Sequence, residues 1–195
     1  FSQVPEDTGM TGAEVARRIL DANGLQSVPV TAVPGALTDH YDPRKRSVHL
    51  SEPVYGAATI SSTAVAAHEV GHAIQHAKAY FPMTVRSALW PVTAFASSTW
   101  TILLVIGAIL GSLNLIVVAI ALYAAVVLFQ LVTLPVEFDA SRRAAVQLKQ
   151  LGIANPDEAV GVRKVLTGAA LTYVAGALAA LSQLMYFVLT FLGNR

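Results

Sequence analysis

Two uncharged runs, residues 87–110 and 115–134, dominate the hydropathy pattern, and only Gly111-Ser112-Leu113-Asn114 separates them. Each is long enough to cross a hydrocarbon core of about 30 Å as a helix, so the pattern predicts a transmembrane helical hairpin with a minimal turn. A third apolar stretch closes the chain. Asn155-Pro156-Asp157-Glu158 combines an N-cap, a first-turn proline and early acids, and the helix it opens is expected to continue to Leu192, its second half (165–195) forming another span. Along that half Gly168, Thr172, Gly176 and Ala180 fall on one i+4 stripe, the small-residue face by which membrane helices approach closely, and this stripe is the expected seam with the hairpin. Gln183, polar within the span, reads as an interhelical hydrogen-bonding group.

The segments outside the apolar runs carry the patterns of a water-facing fold. Thr11-Gly12-Ala13-Glu14 is a capping box, Val15, Ile19 and Leu20 follow at helical spacing, and Gly24 is a stop signal, so a short amphipathic helix is expected, with Arg17 and Arg18 on a solvated face or in contact with lipid headgroups. Residues 27–33 read as a β-branched strand, Pro34-Gly35 as a turn, and 46–51 as a second strand reached through Asp42-Pro43-Arg44-Lys45. Such a sheet offers an edge to which an extended peptide can add. A helix capped by Ser61 or Ser62 then runs to about Ala79, before Pro82, with Ala66, Val70, Ala73, Ile74 and Ala77 on its buried back. Beyond the hairpin, Leu134-Pro135-Val136-Glu137-Phe138-Asp139-Ala140-Ser141 begins a polar helix that returns to the same side. The fold class is α+β, mostly α. Residues 1–86 and 135–164 form two parts of one head domain, 87–134 the hairpin and 165–195 the last span.

Composition agrees with the spans. Of 195 residues, 54% are hydrophobic and 13% charged, too apolar for an ordinary soluble domain. A net charge of +1, without a basic stripe, excludes nucleic acid as a partner and leaves the lipid bilayer. There is no cysteine, hence no disulfide and no thiolate ligand, which fits a reducing compartment. The chain starts at Phe1 rather than Met, leaving room for a further N-terminal anchor ahead of it. Lys78, Arg86, Arg142, Arg143, Lys149, Arg163 and Lys164 flank the head side while the 111–114 turn carries no charge, so the head is expected in the cytoplasm; Arg195 alone argues otherwise.

The candidate chemistry sits in His68-Glu69-Val70-Gly71-His72-Ala73-Ile74-Gln75-His76, an H-E-x-x-H motif between helix-forming residues. At about 3.6 residues per turn His68 and His72 share a face, so two imidazoles can converge on one ion, and Zn²⁺ suits nitrogen and carboxylate donors. Glu69 lies beside them as the candidate general base. His76 continues the face, but at about 1.5 Å rise per residue it lies about 12 Å from His68 and reads as a supporting, substrate-side or simply solvated group. Glu137 is the natural third ligand, because Ala140, Ser141 and Ala144 share its face and let that helix come close; Gly71 serves the same end. Asp139 competes, yet it points away from that face and is placed to pair with Arg143 at i+4. His40, Tyr41, His49 and Tyr55 are the candidates for stabilising an oxyanion.

With both stretches in hand, the chain resembles the YugP-type family of neutral zinc metallopeptidases of bacterial membranes, on Leu37-Thr38-Asp39-His40-Tyr41-Asp42-Pro43-Arg44, residues 68–76, and Pro135-Val136-Glu137-Phe138-Asp139-Ala140-Ser141-Arg142-Arg143. More distantly it is similar to the HtpX and CAAX-prenyl-protease group of gluzincins. That resemblance implies a zincin-like head fused to spans, with Zn²⁺ on His68, His72 and Glu137 and Glu69 as the catalytic acid/base. It implies an integral protein of the bacterial plasma membrane. The distant group carries an aspartate four residues after its glutamate ligand, where this chain has Ser141, so the group that orients a histidine is either Asp139, Ser141 or another. The expected activity is endopeptidase cleavage of membrane or membrane-proximal polypeptides. The alternative is a non-catalytic membrane scaffold that retains a structural zinc, against which the intact Glu69 argues. Oligomeric state and adaptor partners are not legible in the sequence.

Overall fold

The computed structural model describes Phe1 and residues 4–193. The order of elements is α1 (Gly12–Ala22), β1 (Val30–Val33), β2 (His40–Asp42), β3 (Ser47–Ser51), α2 (Glu52–Gly56), α3 (Ile60–Ala77), α4 (Phe81–Ile109), α5 (Leu113–Gln150) and α6 (Pro156–Leu192). Helix dominates, with one small sheet, as the sequence pattern requires. The chain divides into two compact units, one of Phe1–Tyr80 with Val136–Ala170, the other of Phe81–Pro135 with the residues from Leu171 onward.

In the first unit the capping box forms as expected: Thr11 accepts from the Glu14 amide and the Glu14 carboxylate accepts from the Thr11 amide. Val15, Ile19 and Leu20 of α1 bury completely against Ala64, Ala67 and Val70 of α3 and Val48 and Leu50 of β3. Each large aliphatic side chain buried this way contributes roughly 1.5–3 kcal/mol. Ala144 and Leu148 of α5 and Ile153 complete that core. The sheet has the order β1-β3-β2, β3 pairing parallel with β1 and antiparallel with β2. It therefore holds one strand more than the hydropathy pattern indicates, because His40–Asp42 is too short and too polar to register as a strand. Its central strand β3 is the buried one, and the first strand begins at Val30 rather than at 27.

Three further expectations are corrected. The N-cap of α3 is Thr59, not Ser61 or Ser62: Thr59 has the extended backbone a cap needs, and its hydroxyl accepts from the Ser62 amide at 3.2 Å. Helix α3 ends at Ala77, which is exposed. Pro135 does not begin a helix; α5 runs unbroken through it. A proline in a long helix frees one carbonyl four residues earlier, and apolar helices of this kind tolerate that loss.

The second unit holds the apolar parts of α4, α5 and α6. All three helices are long and apolar enough to cross a membrane, with windows of mean hydropathy 1.8, 2.8 and 1.8. Only 17–28% of those windows is buried, so most of their apolar surface needs a lipid environment. Gly111 takes φ +60° in the turn that separates α4 from α5, a conformation glycine adopts without penalty. The interior is an aromatic cluster in which the ring of Trp100 lies 4.5 Å from Tyr123 and 5.8 Å from Phe187. On α6 the buried face is Ala177, Ala180 and Phe187, whereas Gly168, Thr172 and Gly176 are exposed. The expected small-residue seam is thus corrected to a stripe one step round the helix, where Phe187 fills the space between aromatic neighbours. Gln183 is exposed, and Arg195 lies outside the described residues.

Candidate metal centre

Helices α3 and α5 meet at one glycine. A Cβ placed on Gly71 would lie 2.5 Å from the Ala140 carbonyl oxygen and 3.2 Å from its Cα, so only the bare backbone permits this approach. The consequence is that Glu137, one turn before Ala140 on α5, reaches the histidine face of α3. His68 Nε2 and His72 Nε2 lie 3.2 Å and 3.5 Å from the same Glu137 oxygen, Oε2. The donor atoms of His68, His72 and Glu137 all fall within 4.8 Å of one another, and His72 and Glu137 are buried. The structure therefore brings together the three residues the sequence pointed to. Glu69 is 8% exposed, and its charge acts on His72.

The hydrogen bonds behind the histidines decide which nitrogen faces the centre. The Gln75 amide nitrogen donates to the Val136 carbonyl at 2.7 Å and to Asp139 Oδ2 at 3.0 Å, both of which only accept. Gln75 Oε1 is left to accept from His72 Nδ1–H at 3.0 Å. With the Nδ1 hydrogen given to Gln75, the nitrogen that faces the Glu137 carboxylate is Nε2, and either a proton or a metal cation must lie between them. Two imidazole nitrogens and one carboxylate oxygen also form a donor set that zinc favours, so the residues present fit the ion. His68 Nδ1 is hydrogen-bonded to Ser141 Oγ at 3.1 Å. Burial pushes the Glu137 carboxyl up, but the hydrogen bonds from His68 and His72 outweigh it and hold the group well below the usual carboxylate range. For His72 burial works downward, and the Glu137 hydrogen bond with the Glu69 charge raises it overall.

Asp139 departs from the sequence reading. It pairs with Arg143 as expected, yet it is 8% exposed, also takes Arg142 at 2.6 Å, and turns its other side to Gln75. Ser141 and Asp139 therefore stand behind different histidines, one directly and one through an amide. Gln75 carries no signal of this role in the sequence, because nothing in periodicity or charge distinguishes a neutral amide on a buried helix face.

The remaining candidates spread over the sheet. Tyr41, partly buried on β2, shares a hydrogen bond of 2.9 Å with His76 Nδ1. His40 and His49 stack at 4.6 Å, and His49 is held by Thr31 and Ser47, both at 2.8 Å. Tyr55 packs against the core of the first unit.

The chain matches, over residues 1–192, the family described as "Putative neutral zinc metallopeptidase". A Bacillus subtilis (strain 168) protein named "Putative membrane protease YugP" is 53% identical over 195 residues, which cover 100% of this chain and 87% of that protein. No solved structure matches.

Proposed function

The chain belongs to this family of neutral zinc metallopeptidases, and from that premise we propose that it is a membrane zinc endopeptidase in which His68, His72 and Glu137 hold the ion and Glu69 moves the proton. The observation that supports this most is the convergence of two Nε2 atoms on one Glu137 oxygen, with Glu69 adjoining in the chain. Zinc bound there would supply Lewis-acid polarisation of a peptide carbonyl and would acidify a water molecule. Glu69 takes the proton of the attacking water and passes it to the leaving amine, so one carboxylate serves as base and then as acid. His68 and His72 stay fixed through both steps because Ser141 and Gln75 hold their far nitrogens.

The substrates are membrane or membrane-proximal polypeptides, since the centre belongs to helices whose neighbouring segments are apolar enough to span. The charge asymmetry around those segments supports a centre on the cytoplasmic side of a bacterial plasma membrane. The test compares membranes carrying wild-type and Glu69→Gln protein by quantitative proteomics. Polypeptides that accumulate uncleaved only with Glu69→Gln, while zinc content is unchanged, support the enzyme. A variant that cleaves within a few-fold of wild type would refute the role of Glu69, whose loss should cost at least about 10²- to 10⁴-fold.

A further inference from the structure

Resting on the zinc reading above, we propose that Gln75 is the positioning residue of His72. The amide fixes which imidazole nitrogen faces the centre, and Asp139 in turn fixes the amide. The argument is one of donors and acceptors. Gln75 is fully buried, and so each of its polar atoms must be satisfied inside the protein. Its nitrogen has two hydrogens and two partners, Val136 O and Asp139 Oδ2, neither of which can donate to it. That leaves no alternative orientation of the amide, because a flipped Gln75 would set its oxygen against a carbonyl and a carboxylate. Oε1 is thereby committed to accept, and His72 Nδ1 must carry the hydrogen.

Asp139 is itself immobilised. Arg142 holds Oδ1 at 2.6 Å, and Arg143 shares Oδ2 with Gln75. The order is thus two guanidiniums, a carboxylate, an amide and an imidazole, each fixing the next. A neutral amide between Asp139 and His72 also keeps the carboxylate's charge one residue away from the imidazole, whereas Ser141 meets His68 directly. The two histidines consequently have unlike supports, and that of His72 extends through Asp139 to Arg142 and Arg143.

A purely structural role is the competitor, since Gln75 also ties α3 to α5 through Val136 and Asp139. Gln75→Glu and Gln75→Leu separate the two. Beside Asp139 and the Val136 carbonyl the introduced Glu must carry a proton, so it keeps one donor toward α5 and an acceptor for His72 Nδ1–H, whereas Leu keeps neither and a merely structural tie would leave the Nδ1 proton of its His72 in place. Zinc affinity of the purified full-length protein, measured by competition with a chromophoric chelator, is expected to fall about 10- to 100-fold in Gln75→Leu, the range for lost supporting groups, and less in Gln75→Glu. Asp139→Asn is expected to weaken zinc several-fold. Equal losses in the two Gln75 variants, or a larger loss in Glu, would overturn the proposal.

A readout independent of zinc guards the case in which Gln75→Leu fails to fold or the zinc reading itself fails. In metal-free wild-type protein labelled with ¹⁵N-histidine, at a pH high enough that the ring is neutral, His72 Nδ1 is expected to carry a slowly exchanging proton. An Nδ1 without a proton would overturn the proposal whether or not zinc binds. A protected Nδ1 proton in a protein that takes up no zinc would sustain the positioning of His72 and sink the metal.

Discussion

Gly71 of α3 packs its Cα face directly on the Ala140 carbonyl of α5, closer than any side chain at position 71 would allow. This contact sets the spacing by which Glu137 meets His68 and His72. Gly71→Ala would force backbone apart from backbone, which no rotamer change relieves. The expected result is a loss of about 1–3 kcal/mol of stability, in the range for overpacked cores. Zinc affinity should fall with it. Thermal unfolding and chelator competition on the variant check both, and a variant that folds and binds zinc as wild type does would show that this approach does not set the centre.

His76 gives a pH dependence of known sign. Burial and the Arg46 charge both lower its pKa below the ordinary histidine value. Because the folded value lies below the unfolded one, the neutral form is favoured by folding. The stability this contributes is full above about pH 6.5 and is lost as the pH falls from there through the folded pKa. An NMR titration of His76 should therefore have its midpoint below 6.5, and Arg46→Gln should move it upward. A midpoint at or above 6.5 would contradict the environment described.

The orientation of the spans is open to single-cysteine labelling, since the chain has no cysteine of its own. Ser112 stands in the turn before α5 and Lys45, which is exposed, in the turn before β3. Ser112→Cys should react with a membrane-impermeant maleimide in intact cells and Lys45→Cys only after the cells are opened. Labelling of Lys45→Cys but not Ser112→Cys in intact cells would reverse the orientation.

What the sequence made legible follows from how each feature is encoded. The Thr11–Glu14 capping box and the pair His68 and His72 depend on spacing within one helix, which a linear pattern carries. Two apolar runs separated by a four-residue turn carry the hairpin in the same way. The strand His40–Asp42 was invisible because its pairing with β3, not its own composition, makes it a strand. Thr59 rather than Ser61 or Ser62 caps α3 because a cap is chosen by backbone geometry where several hydroxyls compete. On α6 a small-residue stripe was readable, but the buried face is set by Phe187 and its aromatic neighbours, whose packing only the tertiary structure specifies. Gln75 is the same case at the centre: its role comes from Val136 and Asp139, some 60 positions away in the chain.

The central claim is that His68, His72 and Glu137 together hold zinc, and metal content of purified wild-type and Glu137→Ala protein tests it most directly. Each should be dialysed against a weak chelator, then measured by elemental mass spectrometry, with circular dichroism to show that the variant remains folded. About one zinc per chain in wild type and little in Glu137→Ala is the predicted result, because two imidazoles alone make a weak site. Full zinc occupancy in a folded Glu137→Ala variant, or none in wild type, would contradict the account.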